Sequence, residues 1–169
     1  EKPEKEVKPE DEPRIGVMVC HCGINIGATV NVPEVVEYVS KLPNVVVSEG
    51  NLYSCSSDSQ ERIKEMIEEY DLNRFIVASC TPRTHEPLFA LTCREGGLNP
   101  YLFELVNIRD QCSWVHMHEP ELATKKAKDL IRMTIAKSRL LSPQQQGKIS
   151  VIKKVLVIGG GVAGMTAAI

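Results

Sequence analysis

The chain has 169 residues, 43% of them hydrophobic, which is enough for one ordinary domain with a proper core plus part of another. Charge is nearly balanced, 20 basic against 22 acidic residues for a net −2, and no basic stripe interleaves with aromatics, so nucleic acid is not an expected partner. No apolar run approaches the ~18 residues of a membrane span, and the first residues are charged rather than a signal core. The expectation is a soluble protein of the cytoplasm.

Residues 1–13, EKPEKEVKPEDEP, hold three prolines, nine charges and one apolar residue, and nothing in them offsets the entropy of ordering. They are expected to form a disordered tail. Residues 15–20 read as a buried strand ending at Cys20-His21-Cys22-Gly23. Pro33 suits a first helical turn, and Val35, Val36, Val39 and Leu42 then share one face until Pro43 stops the helix. Residues 44–47 form a second strand and 52–55 a loop. Ser57 with Gln60 has capping-box spacing and opens a helix over 57–70, with Ile63, Met66, Ile67 and Tyr70 on its apolar face. A third strand, 74–79, runs into Cys80. Helix 84–96 ends at Gly96-Gly97, and strand 101–106 follows. The stretch 107–119, with Cys112, Trp114, His116 and His118, shows no regular pattern. A long helix spans 120–141, and the polar stretch 142–148, SPQQQGK, reads as a linker.

Alternating strands and helices indicate an α/β domain over 14–142 with a parallel sheet and right-handed crossovers. Ligands of such sheets bind beyond the carboxyl ends of the strands, where Cys20 and Cys80 fall. After a linker at 143–152, residues 153–169 read KKVLVIGGGVAGMTAAI. Here a strand at 155–158 precedes Gly159, Gly161 and Gly164 in G-x-G-x-x-G order: one glycine for the tight turn, one to admit a pyrophosphate, one for close helix packing. This predicts the first strand, turn and helix of a Rossmann-type dinucleotide domain. The acidic ribose-binding residue expected ~20 positions later would lie past Ile169.

Six cysteines without a secretory signal point to metal binding, catalysis or burial rather than a disulfide framework. Their series, C-x-C-x32-C-x24-C-x12-C-x18-C, matches no compact ferredoxin or zinc-finger spacing. Position is the stronger signal, because five of the six lie outside helical interiors. Soft thiolates without a companion histidine pattern favour an iron–sulfur cluster over zinc. Cys22, Cys55, Cys80 and Cys112 are the candidate ligands. Cys20 can join Cys22 on one side of an extended segment, or can simply end its strand in the core. Cys93, inside a helix, is expected in the core. His21 and His85 are candidate donors to cluster sulfur, His116 and His118 weaker candidates for metal, and Arg83 and Arg109 candidates to compensate negative charge or else ordinary solvated residues. No catalytic residue is assigned. Two readings compete with electron transfer: a docking domain with inert core thiols that presents Trp114 to partner subunits, and a thiol–disulfide enzyme using Cys20 or Cys22, which lacks a C-x-x-C pair.

The blocks VCHCGINIG, NLYSCSSDSQ, ASCTPRTHEPLF, CREGGLNPYLFE and NIRDQCSWVHMHEPE, followed by VLVIGGGVAG, together resemble the A-subunit family of heterodisulfide reductase. The resemblance covers nearly everything from Arg14 to Ile169. It implies an N-terminal domain bearing a [4Fe-4S] cluster, ligated by four of this chain's cysteines, then an FAD domain and ferredoxin-type domains in a longer oxidoreductase polypeptide. It further implies electron relay or bifurcation between a hydrogenase or formate dehydrogenase, ferredoxin and the CoM–CoB heterodisulfide. The implied partners are the B and C subunits, with a homodimer inside a larger complex. The piece 1–169 alone is expected to be inactive.

Overall fold

The computed structural model describes residues 2–8, 10–145, 147 and 149–169. Glu1 and Pro9 of the expected tail, and Gln146 and Lys148 of the expected linker region, lie outside the described residues. Four strands, β1 (Ile15–Cys20), β2 (Val45–Asn51), β3 (Arg74–Ser79) and β4 (Phe103–Asn107), form one parallel sheet in the order β2-β1-β3-β4. β1 and β3 are buried at every residue, the central positions that continuous apolar runs favour.

Successive strand residues serve opposite faces. Val17, Val19, Ile76 and Ala78 pack with Val35 and Val39 of α2 (Val32–Ser40) and Ala127, Ile131 and Ile135 of α5 (Pro120–Ser138). Met18, Phe75 and Val77 pack with Ile63, Met66 and Ile67 of α3 (Ser57–Glu69) and Phe89 and Cys93 of α4 (Pro82–Glu95). The β1-to-β2 connection runs one way along the sheet and the next two run the other way. Right-handed crossovers therefore place α2 on one face and α3 and α4 on the other. The reversal falls between β1 and β3, and that crevice is where an open α/β sheet receives its ligand.

Several boundaries differ from the sequence reading for local reasons. α3 is capped by Ser56, whose side chain accepts from the Ser59 amide at 3.4 Å, and Gln60 instead reaches back to the Cys55 carbonyl at 3.1 Å. β4 starts only at Phe103, because Pro100–Leu102 forms a 3-10 turn held by the Asn99 side chain. The segment after β4 is a π-helical turn, Arg109–Ser113. α1 (Ile24–Gly27) is a single turn beyond Cys22.

The tail is not loose where it is described. The amides of Lys2 and Lys5 donate to the carbonyls of Glu95 and Gly97 at 3.2 and 2.8 Å, Lys2 pairs with Glu68 and Lys5 with Asp71, and Val7 is buried. Backbone hydrogen bonds and lysines supply what one apolar residue does not. The expected strand at 155–158 is absent. Val155, Leu156 and Ile158 are exposed, and no neighbouring strand among the described residues takes up their backbone groups. The helix after the glycines does form, as α6 (Val162–Ala168).

Candidate functional site

The crevice between β1 and β3 gathers thiols from three strand ends. Cys20 closes β1, Cys22 lies two residues on, Cys55 lies in the loop between β2 and α3, and Cys80 follows β3 directly. The thiol of Cys22 lies within electrostatic reach of Cys20, Cys55 and Cys80. Burial pushes the Cys22 and Cys80 thiols up, and the positive charge of Arg109 opposes the rise at both.

The local backbone is built to hold these sulfurs. Cys22 and Gly23 take consecutive left-handed φ angles of 46° and 54°, a conformation that a non-glycine residue adopts only under constraint. The reversal turns the Cys22 amide back onto Cys20 Sγ at 3.3 Å, and the buried Ser54 amide donates to the same sulfur at 3.3 Å. Two amides aimed at one sulfur is the arrangement that stabilises a thiolate bound to metal. The Cys55 loop is fixed by a short network, in which the Ser54 hydroxyl donates to Asn51 Oδ1 at 2.7 Å and Asn51 Nδ2 donates to Ser59 Oγ at 2.6 Å. The Ser79 hydroxyl, buried beside Cys80, has no hydrogen-bond partner at ordinary distance among the described residues. Tyr53 lies over the turn, and a Cβ on Gly23 would stand 2.9 Å from its hydroxyl.

Of the candidate ligands read from the sequence, Cys22, Cys55 and Cys80 lie at the same end of the sheet, beyond β1, β2 and β3. Cys112 does not join their electrostatic network. It is fully buried in the core formed by α2 and α5, burial pushes its thiol up to about 11, and the one charge acting on it is that of Lys126. Cys20 takes its place in the group. The two amides on Cys20 Sγ are tertiary contacts that spacing does not reveal. The signal within reach of sequence was the C-x-C pair at a strand end. Cys93 is buried, as expected. His21 packs against Gly27 and Gly50 beside the site, and His116 Nδ1 lies 3.3 Å from Glu119.

No three or more His, Cys, Asp or Glu side chains among the described residues stand close enough to hold a metal ion. A single zinc draws every thiolate to about 2.3 Å from one point. A four-iron cluster spreads its thiolates over the corners of a cube and suits a wider set. The all-sulfur donors and the amides on Cys20 fit the chemistry of a group of that kind. At the other end of the chain, Gly159 has φ 115°, a Cβ on Gly161 would meet open space, and one on Gly164 would collide with the Gly159 carbonyl.

A doubly wound parallel sheet with a constellation of thiols at its switch point makes this a cysteine-bearing α/β protein. No family model matches the chain. It is 56% identical over 160 residues to the second iron-sulfur A subunit of CoB–CoM heterodisulfide reductase from Methanopyrus kandleri, covering 95% of this chain and 24% of that protein. It is 55% identical to the A subunit of H2:CoB–CoM heterodisulfide,ferredoxin reductase from Methanothermobacter thermautotrophicus, covering 98% and 25%, and 54% identical to a protein of Archaeoglobus profundus described as like the A subunit of heterodisulfide reductase, covering 95% and 23%. The chain belongs to the A-subunit family of heterodisulfide reductase, whose N-terminal portion it matches, and it spans about a quarter of the length of these relatives. No helix among the described residues is long and apolar enough to cross a membrane.

Proposed function

We propose that this chain is the N-terminal electron-transfer module of a heterodisulfide-reductase-type complex, with Cys20, Cys22, Cys55 and Cys80 as the ligands of a [4Fe-4S] cluster. The observation that carries the reading is the placement of four cysteines at the carboxyl ends of three neighbouring parallel strands, Cys20 and Cys22 after β1, Cys55 after β2 and Cys80 after β3. When bound, the cluster supplies one-electron transfer without making or breaking bonds to substrate. The chain's own residues do the rest. The Cys22-Gly23 turn sets the two thiols of the C-x-C pair, and the amides of Cys22 and Ser54 donate to Cys20 Sγ. The glycine pattern after residue 158 supports a flavin domain, binding FAD, as the next station.

The relatives' names mention H2, ferredoxin and the CoB–CoM heterodisulfide. Carried over to this chain, they support a relay between an H2- or ferredoxin-linked partner and the CoB–CoM heterodisulfide; a hydrogenase or formate dehydrogenase as donor and the B and C subunits as acceptors complete the proposal. A docking role for the same face is favoured by one feature: Trp114, Val115 and Met117, beyond the π turn, leave about half of their surfaces exposed, at 47, 57 and 56%.

Iron and acid-labile sulfide analysis of anaerobically purified protein tests the ligation. About four of each per chain are expected. Single changes of Cys20, Cys22, Cys55 or Cys80 to Ala should abolish or sharply lower both, while Cys112→Ala and Cys93→Ala keep them. Colourless, folded wild-type protein after attempted reconstitution would leave only the docking role.

A further inference from the structure

The π-helical turn after β4 does more than connect β4 to α5. Its wide hydrogen bonds, Ser113 amide to Ile108 carbonyl at 3.0 Å and Trp114 amide to Arg109 carbonyl at 2.9 Å, bring residues five apart onto one side. Arg109 Cζ consequently lies 4.6 Å from the centroid of the Trp114 ring, a stacking geometry for a guanidinium. Asp110 takes Arg109 Nε on Oδ1 at 2.8 Å. Asp110 is itself fixed by Asn107, which accepts from the Asp110 amide and donates to Oδ2, both at 2.9 Å. A residue that merely solvates a loop is not held from two sides, by an ion pair and by a ring. The turn begins beside Cys80: Asn107 pairs with Ser79 at the end of the sheet, and the Ile108 amide donates to the Ser79 carbonyl at 2.9 Å, which sets Arg109 at the thiol end, where its charge acts on Cys22 and Cys80.

We propose that Arg109, locked between Asp110 and Trp114, is the positioning residue that sets the reduction potential of the metal–sulfur group held by Cys20, Cys22, Cys55 and Cys80. The proposal rests on the ligation read above. Reduction adds one electron, and so one negative charge, to the group without changing its bonds. A permanent cation beside two of its thiolates favours the reduced state and raises the potential. Asp110 offsets part of that charge, so the pair acts as a trim with opposite signs at its two members. Trp114 covers one face of the guanidinium, which keeps water from screening it.

The test is a reductive titration of anaerobically purified protein with dithionite, followed by EPR and visible absorption, with iron content measured on each variant. R109Q should shift the midpoint negative by about 59 mV or more, a tenfold change in a one-electron equilibrium. R109K should recover most of the shift, and D110N should move the midpoint the other way. A structural role predicts no such sign reversal. Normal iron content with an unmoved R109Q midpoint, or D110N moving with R109Q, overturns the proposal and leaves the ligation standing. Should R109Q fold or load poorly, the direction of the D110N shift decides. Wild-type protein that binds no iron overturns both.

Discussion

Burial sorts the six thiols by chemistry as well as by place. Cys93 is sealed against α3, and burial pushes its thiol far above the ordinary range; Cys112, inside the other core, is pushed up to about 11 from 9.0. A thiol raised in the folded state contributes stability that is intact below its unfolded value and lost as pH climbs through the folded one. Metal-free, reduced protein should therefore hold a constant urea midpoint from neutrality to about pH 9 and lose stability from there toward 11. Cys112→Ala should make that fall shallower, and a slope identical to the wild type would count against the buried-thiol account. Cys112 and Cys20 also mark the limit of legibility at this scale. Both look like loop-edge cysteines in sequence. What distinguishes them is which sheet end and which amides they meet, and those are tertiary facts.

The sheet and its four long helices were readable because each carries a period: continuous apolar runs for β1 and β3, a helical stripe for α2, α3 and α5. The π turn was not, since five residues are too few to display any period, and its signature is a pair of hydrogen bonds. The strand expected at 155–158 has the right residues but no partner, and a strand exists only in a pair. Gly16, the second residue of β1, shows how closely its neighbours approach. A Cβ there would press on Leu72 Cδ1 and stand 2.9 Å from Phe75 Cε2, with both neighbours fully buried. Gly16→Ala should cost about 1–3 kcal/mol in chemical denaturation, the overpacking penalty of a filled core. A neutral result would mean that the layer between β1 and α3 yields more easily than this packing implies.

At the scale of the whole molecule, one buried cation joins three parts. Arg74, at the start of β3, donates from Nε to the Ser138 carbonyl at 2.8 Å and from Nη2 to the Leu141 carbonyl at 3.0 Å, with Nη1 on Asn73 Oδ1 at 2.9 Å. It satisfies the carbonyls that α5 leaves open at its end, in the place where helices favour a positive charge. Arg74→Ala would orphan these acceptors, and about 3 kcal/mol should be lost, read as a lower urea midpoint with earlier amide exchange in the last turn of α5. The position of this clamp separates two ends of the molecule. The chain leaves the domain at the end of the sheet where β3 begins, with Gln144 still held by Asn99 at 2.8 Å, whereas the cysteines crown the other end. A six-residue strand separates those ends by about 20 Å. Substitutions at the clamp and at the thiols share no partner across that distance, so their effects on stability should simply add.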